Sequence, residues 1–448
     1  MKRSAAFCMA LLLAACSRGS QLSDEAGYGP DPRIPPPDYA WIPPIEIPRP
    51  LGWHADQMPR PAPGLSVSAF ATGLEHRRWL LPLPNGDVLV AESDPGDEAV
   101  KRPKDIFMGF AMQRAKAGTA PPNRISLLRD VDGDGRAEQR ITYIDGLKSP
   151  FGMALVGDSL YVADTDALLR FPYRGGAEHP GGPGVRVAPL PAGPINHHWT
   201  KSLVASPDGS RLYVGVGSNS NVGENGLDNE KDRAAILEID PASGASHVFA
   251  SGLRNPVGMD WNPESGALWV VVNERDEIGD NASPDYITSV RQGGFYGWPW
   301  VYWGTHIDRR PWPANPEAAA RAIKPDYAIG SHGGSLGFTF AKGQALGPQY
   351  ASGAFVGQHG SWNKSHPFGY RVIFVPFAGG KPVGLPQEVL GGFLGSGGFH
   401  GRPVGLAFDR SGALLVADDM GDTVWRVTAS RPNRTPASPS PAGKPAAR

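Results

Sequence analysis

The chain has 448 residues and 43 Lys+Arg against 44 Asp+Glu, a formal net charge of -1, with no basic blocks. That balance argues against nucleic acid or an acidic surface as partner. Gly 58 and Pro 46 are high for a globular chain, and 40% hydrophobic content suffices for a large core. The combination predicts many turns and short strands in place of helices.

Met1-Lys2-Arg3 is a short basic start, followed by an apolar run from Ala5 to Ala15 that ends at Cys16. The run is too short to cross a bilayer comfortably and reads as a secretory signal. Its end, Leu13-Ala14-Ala15-Cys16, resembles the lipobox of bacterial lipoproteins, in which the cysteine is lipidated and becomes the mature N-terminus. Residues 1–15 are therefore expected to be a signal peptide, with the mature protein held in the cell envelope by a lipid on Cys16. Ser17 in place of Asp favours the outer membrane, facing the periplasm. Cleavage before Cys16 leaves no thiol for a disulfide, and the lack of a CxxCH run excludes covalent haem. Residues 16–63 are Pro-rich, as in Arg33-Ile34-Pro35-Pro36-Pro37, and predict a semi-extended tether. Residues 430–448 are Pro, Ser, Ala and basic residues and predict a disordered tail.

Between these ends one pattern recurs: a Gly-containing turn, then a short apolar strand that ends in acidic or polar residues. In chain order the copies run from Asn85-Gly86 to Glu92, Gly157-Asp158 to Asp164, and Asp208-Gly209 to Gly215. They continue from Ser265-Gly266 to Val271, Ser352-Gly353 to Gly357, and Ser411-Gly412 to Asp418. Several are preceded by a Gly-plus-apolar strand, as in Phe151-Gly152-Met153, Val257-Gly258-Met259 and Val404-Gly405-Leu406. Runs such as Ala235–Ile239 and Arg371–Val375 supply outer strands. A strand–turn–strand unit in six copies predicts an all-β fold, a six-bladed β-propeller of four-stranded antiparallel blades over residues 64–429. In that architecture the strand ends converge on one axis, and the polar loops there form the functional face.

Five segments fall at such ends. Asn196-His197-His198-Trp199 offers paired histidines for a metal, for base catalysis or for structure. Arg254-Asn255 offers a guanidinium fork and an amide for a planar anion, or a bridge between blade carbonyls. Asn273-Glu274-Arg275-Asp276-Glu277, with Asp285-Tyr286 and Gly293–Pro299 beyond, clusters acids suited to a hard cation or to a solvated loop. His359–Lys364 and His400-Gly401-Arg402-Pro403 complete the set. Separately, Asp130-Val131-Asp132-Gly133-Asp134-Gly135 starts as a calcium loop would, but Ile141 stands where the closing Glu is needed.

Taken together these motifs resemble the soluble PQQ-dependent sugar dehydrogenases, especially the branch called L-sorbosone dehydrogenase. The likeness is carried by His198 ahead of Asp208-Gly209, Gly252–Gly258, Gly293–Pro299, His359-Gly360-Ser361-Trp362-Asn363 and Arg402–Gly405, across about residues 64–428. It implies a propeller that binds pyrroloquinoline quinone (PQQ) with calcium and oxidises a sugar or sugar-derived aldehyde, passing electrons to an external acceptor. In that frame His198 is the general base, Arg254 and Asn255 hold and polarise the quinone, and Arg402 meets a PQQ carboxylate. Lys364 or Arg371 supplies a second such cation. Asp285 and Tyr296 match positions near a structural calcium site. The Gly-Pro pair whose carbonyls bind calcium beside PQQ aligns with Asp276-Glu277.

The pattern also departs from that family. His197 replaces the carboxylate that precedes the base, and Lys148 stands where an amide is expected. Two other readings remain at this level. One is a metal-dependent lactonase with Glu92, Asn273 or Asp418 as ligands; the other is a non-catalytic propeller for glycan or an envelope protein.

Overall fold

A computed structural model describes residues 22–40, 43–54, 56–93 and 122–430. The signal run, Cys8, Cys16 and the tail beyond 430 lie outside the described residues. The six predicted copies are the second strands of six antiparallel blades. Blade 1 is Arg77–Pro82, Val88–Glu92, Arg124–Arg129 and Gln139–Ile144; blade 2 is Met153–Val156, Ser159–Ala163, Ala167–Pro172 and Val185–Pro189. Blade 3 is Lys201–Ala205, Leu212–Val216, Ala235–Ile239 and Ser246–Ser251; blade 4 is Pro256–Trp261, Leu268–Val272, Pro284–Ser289 and Tyr327–Ser331. Blade 5 is Ser335–Phe340, Gly353–Gln358, Arg371–Ala378 and Gln387–Gly391. Blade 6 takes Pro403–Phe408, Leu414–Asp418 and Thr423–Ala429 from the end of the chain and its outer strand, Leu65–Thr72, from the start.

The first strand of each blade packs on the first strands of both neighbours, and the contacts run in a closed ring from blade 1 to blade 6 and back. Every blade is thus covered on both faces. This explains why the second strands read as nearly continuous apolar runs without polar alternation: Val88–Glu92, Leu212–Val216, Leu268–Val272 and Leu414–Asp418 are buried along their whole length. The side chains between blades form one core cluster per interface, such as Trp269, Ile287, Phe338, Phe340, Val356 and Ile373 between blades 4 and 5. The Gly-plus-apolar motif marks where inner strands approach. A methyl group on Gly258 would stand 2.5 Å from the amide nitrogen of Phe338 and 2.8 Å from the carbonyl oxygen of Leu336 in the next blade.

The Pro-rich segment expected to be a tether is extended, as its prolines dictate, yet its described part lies against the propeller. Asn281 donates to Leu22 O (3.1 Å), and Tyr28–Gly29 adds an edge strand to blade 4 beside Ile329 and Ala328. The chain then crosses the loops at one end of the axis. Asp38 N donates to Ile278 O (2.9 Å), Asn363 to Pro44 O (2.8 Å) and Glu46 N to Trp362 O (3.2 Å). Trp53 packs edge-on against Phe393 and Trp425 and donates its indole N–H to Asp418 (2.7 Å). Arg60–Pro61 finally pairs with blade 5 at Gly391 and Leu390 before the chain enters blade 6. Burial of Trp53 and these backbone bonds offset the entropy that a free linker would keep. We refer to residues 22–62 as the strap.

Gly258→Ala is expected to lower stability by about 2 kcal/mol through overpacking at the seam of blades 4 and 5, read as a fall in the thermal unfolding midpoint. The same change at Gly266, with open space around it, acts only through its left-handed backbone (φ 68) and serves as the comparison.

Candidate active site

In every blade the first strand begins and the second strand ends at the same end of the axis, opposite each other in register: Arg77 faces Glu92, Lys201 faces Val216, Ser335 faces Gln358 and Pro403 faces Asp418. The turns that enter first strands and leave second strands therefore share one face. All five predicted segments start from it, and the strap reaches it too.

His198 sits on the turn into blade 3, half-buried, with Nδ1 2.8 Å from Ser218 O and 3.1 Å from Ser218 Oγ. Ser218 Oγ donates onward to Ser220 O (2.6 Å), so the imidazole is the donor and Nδ1 carries its proton. That tautomer leaves Nε2 with a lone pair. Burial holds the imidazole well below its ordinary pKa, and the nearby Arg254 and His197 add to the effect. The loop is fixed from behind. Arg233, itself buried, donates to Asn196 Oδ1 (3.1 Å) and His198 O (3.0 Å), and the fully buried Lys201 donates to Trp199 O (3.0 Å).

Asn255 is the immediate neighbour: the space that a side chain at Gly217 would need is filled by Asn255 Oδ1 and His198 Cβ. Asn255 Oδ1 is buried with no hydrogen-bond partner among the described residues. On the other side Trp199 lies under the guanidinium of Arg78 (5.7 Å), which pairs with Asp419 (3.1 Å). His359 Nε2 meets the same Asp419 oxygen at 3.1 Å, and burial together with Arg402 pushes the imidazole down to about 4. Arg402 stacks over Tyr370 (5.3 Å) and Phe399 (5.0 Å). The Nε atoms of both Arg78 and Arg402 are buried and lack partners among the described residues. Buried polar atoms without partners are rare in native interiors. Here two guanidinium N–H groups stand as donors, and Asn255 Oδ1 and the free nitrogen of a neutral imidazole as acceptors, a set suited to a polar ligand that carries both an anionic group and a hydroxyl.

Other predicted residues are placed differently. Arg254 lies at the axial face, 2% exposed, but its N–H groups go to Asn221 O (3.2 Å), Asn273 O (3.4 Å), Glu274 O (2.7 Å), Asn221 Oδ1 (3.0 Å) and Asp276 Oδ2 (2.9 Å). It bridges loop carbonyls and pairs with a carboxylate, so all of its N–H groups shown here are engaged by protein. Lys364 is buried away from the axis, where its Nζ meets Asp24 of the strap (2.6 Å) and Asn281 (3.1 Å). Arg371 sits at the blade edge with Tyr28 OH (2.7 Å) and Gln358 (3.1 Å). The strap supplies a partner to both cations, Asp24 to Lys364 and Tyr28 to Arg371.

The four expected calcium ligands are not gathered. Burial raises the carboxyl of Asp276, but Arg254 and His332 (Nδ1 3.3 Å away) more than offset this and hold it below its ordinary value. Glu277 receives the Asn363 side chain at its own amide (2.6 Å). Asp285 accepts the amides of Glu274 and Ser335 (both 3.0 Å), and burial raises it to about 6. Tyr296 donates to Ser289 O (2.6 Å) at the far end of that strand. Among the described residues, the one group of acids whose oxygens converge within 4.8 Å is Asp130, Asp132, Asp134 and Glu138, on the opposite face. Glu138 takes the place that Ile141 leaves empty in the sequence register. Two of the three lactonase ligands are closed as well: Glu92 is taken by Arg124, Ser126 and Glu75 N. Asp418 accepts from Trp53, Trp425, Arg402 N and Gly421 N.

Sequence reasoning missed Arg78, Asp419, Asn221, Arg233 and His332. Arg78 precedes the Asn85-Gly86 turn much as Arg402 precedes Ser411-Gly412, a parallel visible in the repeat. The others act through tertiary contacts. Removing Arg254 alone (Arg254→Met) is expected to cost about 3 kcal/mol in chemical denaturation, because the buried Asp276 carboxylate keeps only His332 as a partner; Asp276→Leu added to it recovers most of that loss.

Two family models match the chain: Glucose / Sorbosone dehydrogenase over residues 188–360 and TrAA12-like over 314–430. An uncharacterized protein of Borreliella burgdorferi is 28% identical over 241 residues, 53% of this chain and 62% of that one. Aldose sugar dehydrogenase YliI of Escherichia coli is 31% identical over 131 residues, 28% of this chain and 33% of its own length. The chain thus spans less than two thirds of either relative. The holo form of the pyranose dehydrogenase PQQ domain from Coprinopsis cinerea superposes with a TM-score of 0.66 at 18% identity, covering 86% of this chain and 100% of that one. The likeness read from the motifs therefore holds: residues 188–360 carry the glucose/sorbosone dehydrogenase pattern, on the same propeller fold as a solved PQQ domain.

Proposed function

We propose that the protein is a PQQ-dependent oxidoreductase that oxidises a hydroxyl of a sugar or sugar-derived aldehyde. The observation that carries this reading is the neutral, Nδ1-protonated His198 beside the unsatisfied amide of Asn255. Arg402 and Arg78, with their partnerless Nε atoms, are the residues that would meet the carboxylates of the cofactor, and Asn255 would meet its ring. When bound, PQQ supplies a quinone that takes up the two electrons and the hydrogen leaving the carbinol carbon. His198 Nε2 takes the hydroxyl proton, and the Ser218 carbonyl steadies the imidazolium that results. Arg233 and Lys201 keep the imidazole aimed by holding the carbonyls on either side of its loop. Asp276 tempers the charge of Arg254, so the base is not flooded by positive potential. A lipid on Cys16 would place this chemistry in the cell envelope, near external sugars and a membrane electron acceptor.

The purified protein is expected to change the PQQ absorption spectrum and to reduce a dye when given aldoses or L-sorbosone; no spectral change refutes the reading. His198→Ala keeps PQQ binding and loses about 100- to 10,000-fold in kcat. Because burial holds His198 below 6.5, the base stays unprotonated at neutral pH. Activity should fall only as the pH drops below the ordinary imidazole range, and an acid limb centred at or above 6.5 contradicts the assigned base.

A further inference from the structure

The family resemblance assigns a calcium ion to the carbonyls that align with Asp276-Glu277, and this structure fills that place with protein donors. The Asp276 carbonyl oxygen accepts from Asn221 Nδ2 (3.0 Å) and from the guanidinium of Arg310 (2.9 Å). Arg310 is locked there by Asp308, through Nε (3.0 Å) and NH2 (2.7 Å), and lies over Tyr39 of the strap (5.8 Å). The side chain of Asp276 is claimed by Arg254 and His332, and its amide donates to Asn221 Oδ1 (2.8 Å). One residue earlier, the fully buried Arg275 takes the other oxygens of this neighbourhood: Pro299 O (2.8 Å), Val301 O (2.6 Å), Glu274 (2.9 Å) and Asp308 (3.3 Å).

A calcium ion needs six to eight oxygen ligands at about 2.3–2.6 Å. Here the Asp276 carbonyl and the carboxylates of Asp276, Glu274 and Asp308 are bonded to three guanidinium groups. An ion on the Asp276 carbonyl would share that oxygen with Arg310 and be repelled by it. Arginine is suited to the exchange, since its charge is permanent and its planar fork serves several carbonyls at once.

We infer that Arg310 and Arg254 together take over the electrostatic role that the resemblance gives to calcium, so that the anionic cofactor binds at the axial face with no divalent ion at Asp276-Glu277. The inference rests on the proposed reading of PQQ as cofactor. Arg310 is a positioning residue: it acts on the loop that carries Asp276 and on the local potential, through neighbours.

The test uses the whole protein, stripped with EDTA and checked for metal content by inductively coupled plasma mass spectrometry. It is then titrated with PQQ by quenching of tryptophan fluorescence, once in EDTA and once in calcium. The Kd is expected to agree within about twofold between the two conditions. A Kd at least tenfold tighter with calcium overturns the inference while leaving the cofactor reading intact. No binding in either condition overturns both. Arg310→Ala supplies the second measurement: in EDTA it should bind PQQ about tenfold more weakly, and calcium should restore part of the loss by occupying the freed carbonyl. A merely structural role for Arg310 would give weaker binding that calcium does not rescue, and this result also overturns the inference. Calcium held by the loop of Asp130, Asp132, Asp134 and Glu138 is told apart with Asp130→Asn, which should remove such calcium and leave PQQ binding unchanged.

Discussion

The pairing of Leu65–Thr72 with Thr423–Ala429 joins the two ends of the propeller in one blade, and the position of the axis depends on it. Without that strand, blade 6 lacks its outer edge, and the seam with blade 1 rests only on the inner strands and loses Phe70 and Leu74 from its core cluster. The cost of bringing such distant residues together grows only slowly with the length of chain between them. What must be strong is the contact made on closure: Val67 and Leu65 join Val427, Trp425, Val416 and Phe355 in one core cluster. Closure also brings Arg78 of blade 1 within 3.1 Å of Asp419 of blade 6, so part of the axial face exists only in the closed ring.

At that face the arrangement of charge follows from burial. Guanidinium groups cannot be desolvated without acceptors, and the loops provide them in two ways. Asp276 and Asp308 neutralise Arg254, Arg275 and Arg310 on the side of blade 4, while Asp419 serves Arg78 on the side of blades 6 and 1. Between these two patches His198 stays neutral. Its proton is committed to Ser218, and its other nitrogen faces a region where amide and guanidinium atoms lack partners. Asn255 Oδ1, Arg78 Nε and Arg402 Nε are buried at this face without partners among the described residues, and they are the atoms there that a bound ligand would complete.

The repeat was legible because each copy encodes the same local event: a turn that needs a left-handed glycine, then a strand buried on both faces. His198, Asn255 and Arg402 were legible for the same reason, since their distance from the turn fixes which end of the blade they occupy. The partners of Lys364 and Arg371, Asp24 and Tyr28, are not legible in the sequence, because they come from a segment more than 300 residues away whose composition suggests only extension. Asp276 was read as a cation ligand from its acidic neighbours. The guanidinium groups of Arg254 and Arg310 that claim it come from positions 22 and 34 residues distant, and no spacing rule connects them. The acidic loop on the far face shows the converse. Its register failed at Ile141, yet the hairpin bends so that Glu138 arrives instead.

The strap has a bearing on orientation. Its first described residue, Leu22, is bonded to Asn281 on the rim of the axial face. Six chain steps lead from Cys16 to Leu22, which fully stretched reach about 20 Å. If Cys16 carries the lipid proposed above, that lipid is leashed to the rim. The axial opening would look down onto the bilayer surface and the acidic loop of blade 1 would look away from it. On the proposed function, electrons leaving the site would have a short path to a carrier dissolved in the membrane, whereas sugars would have to enter from the side, through the gap between protein and lipid.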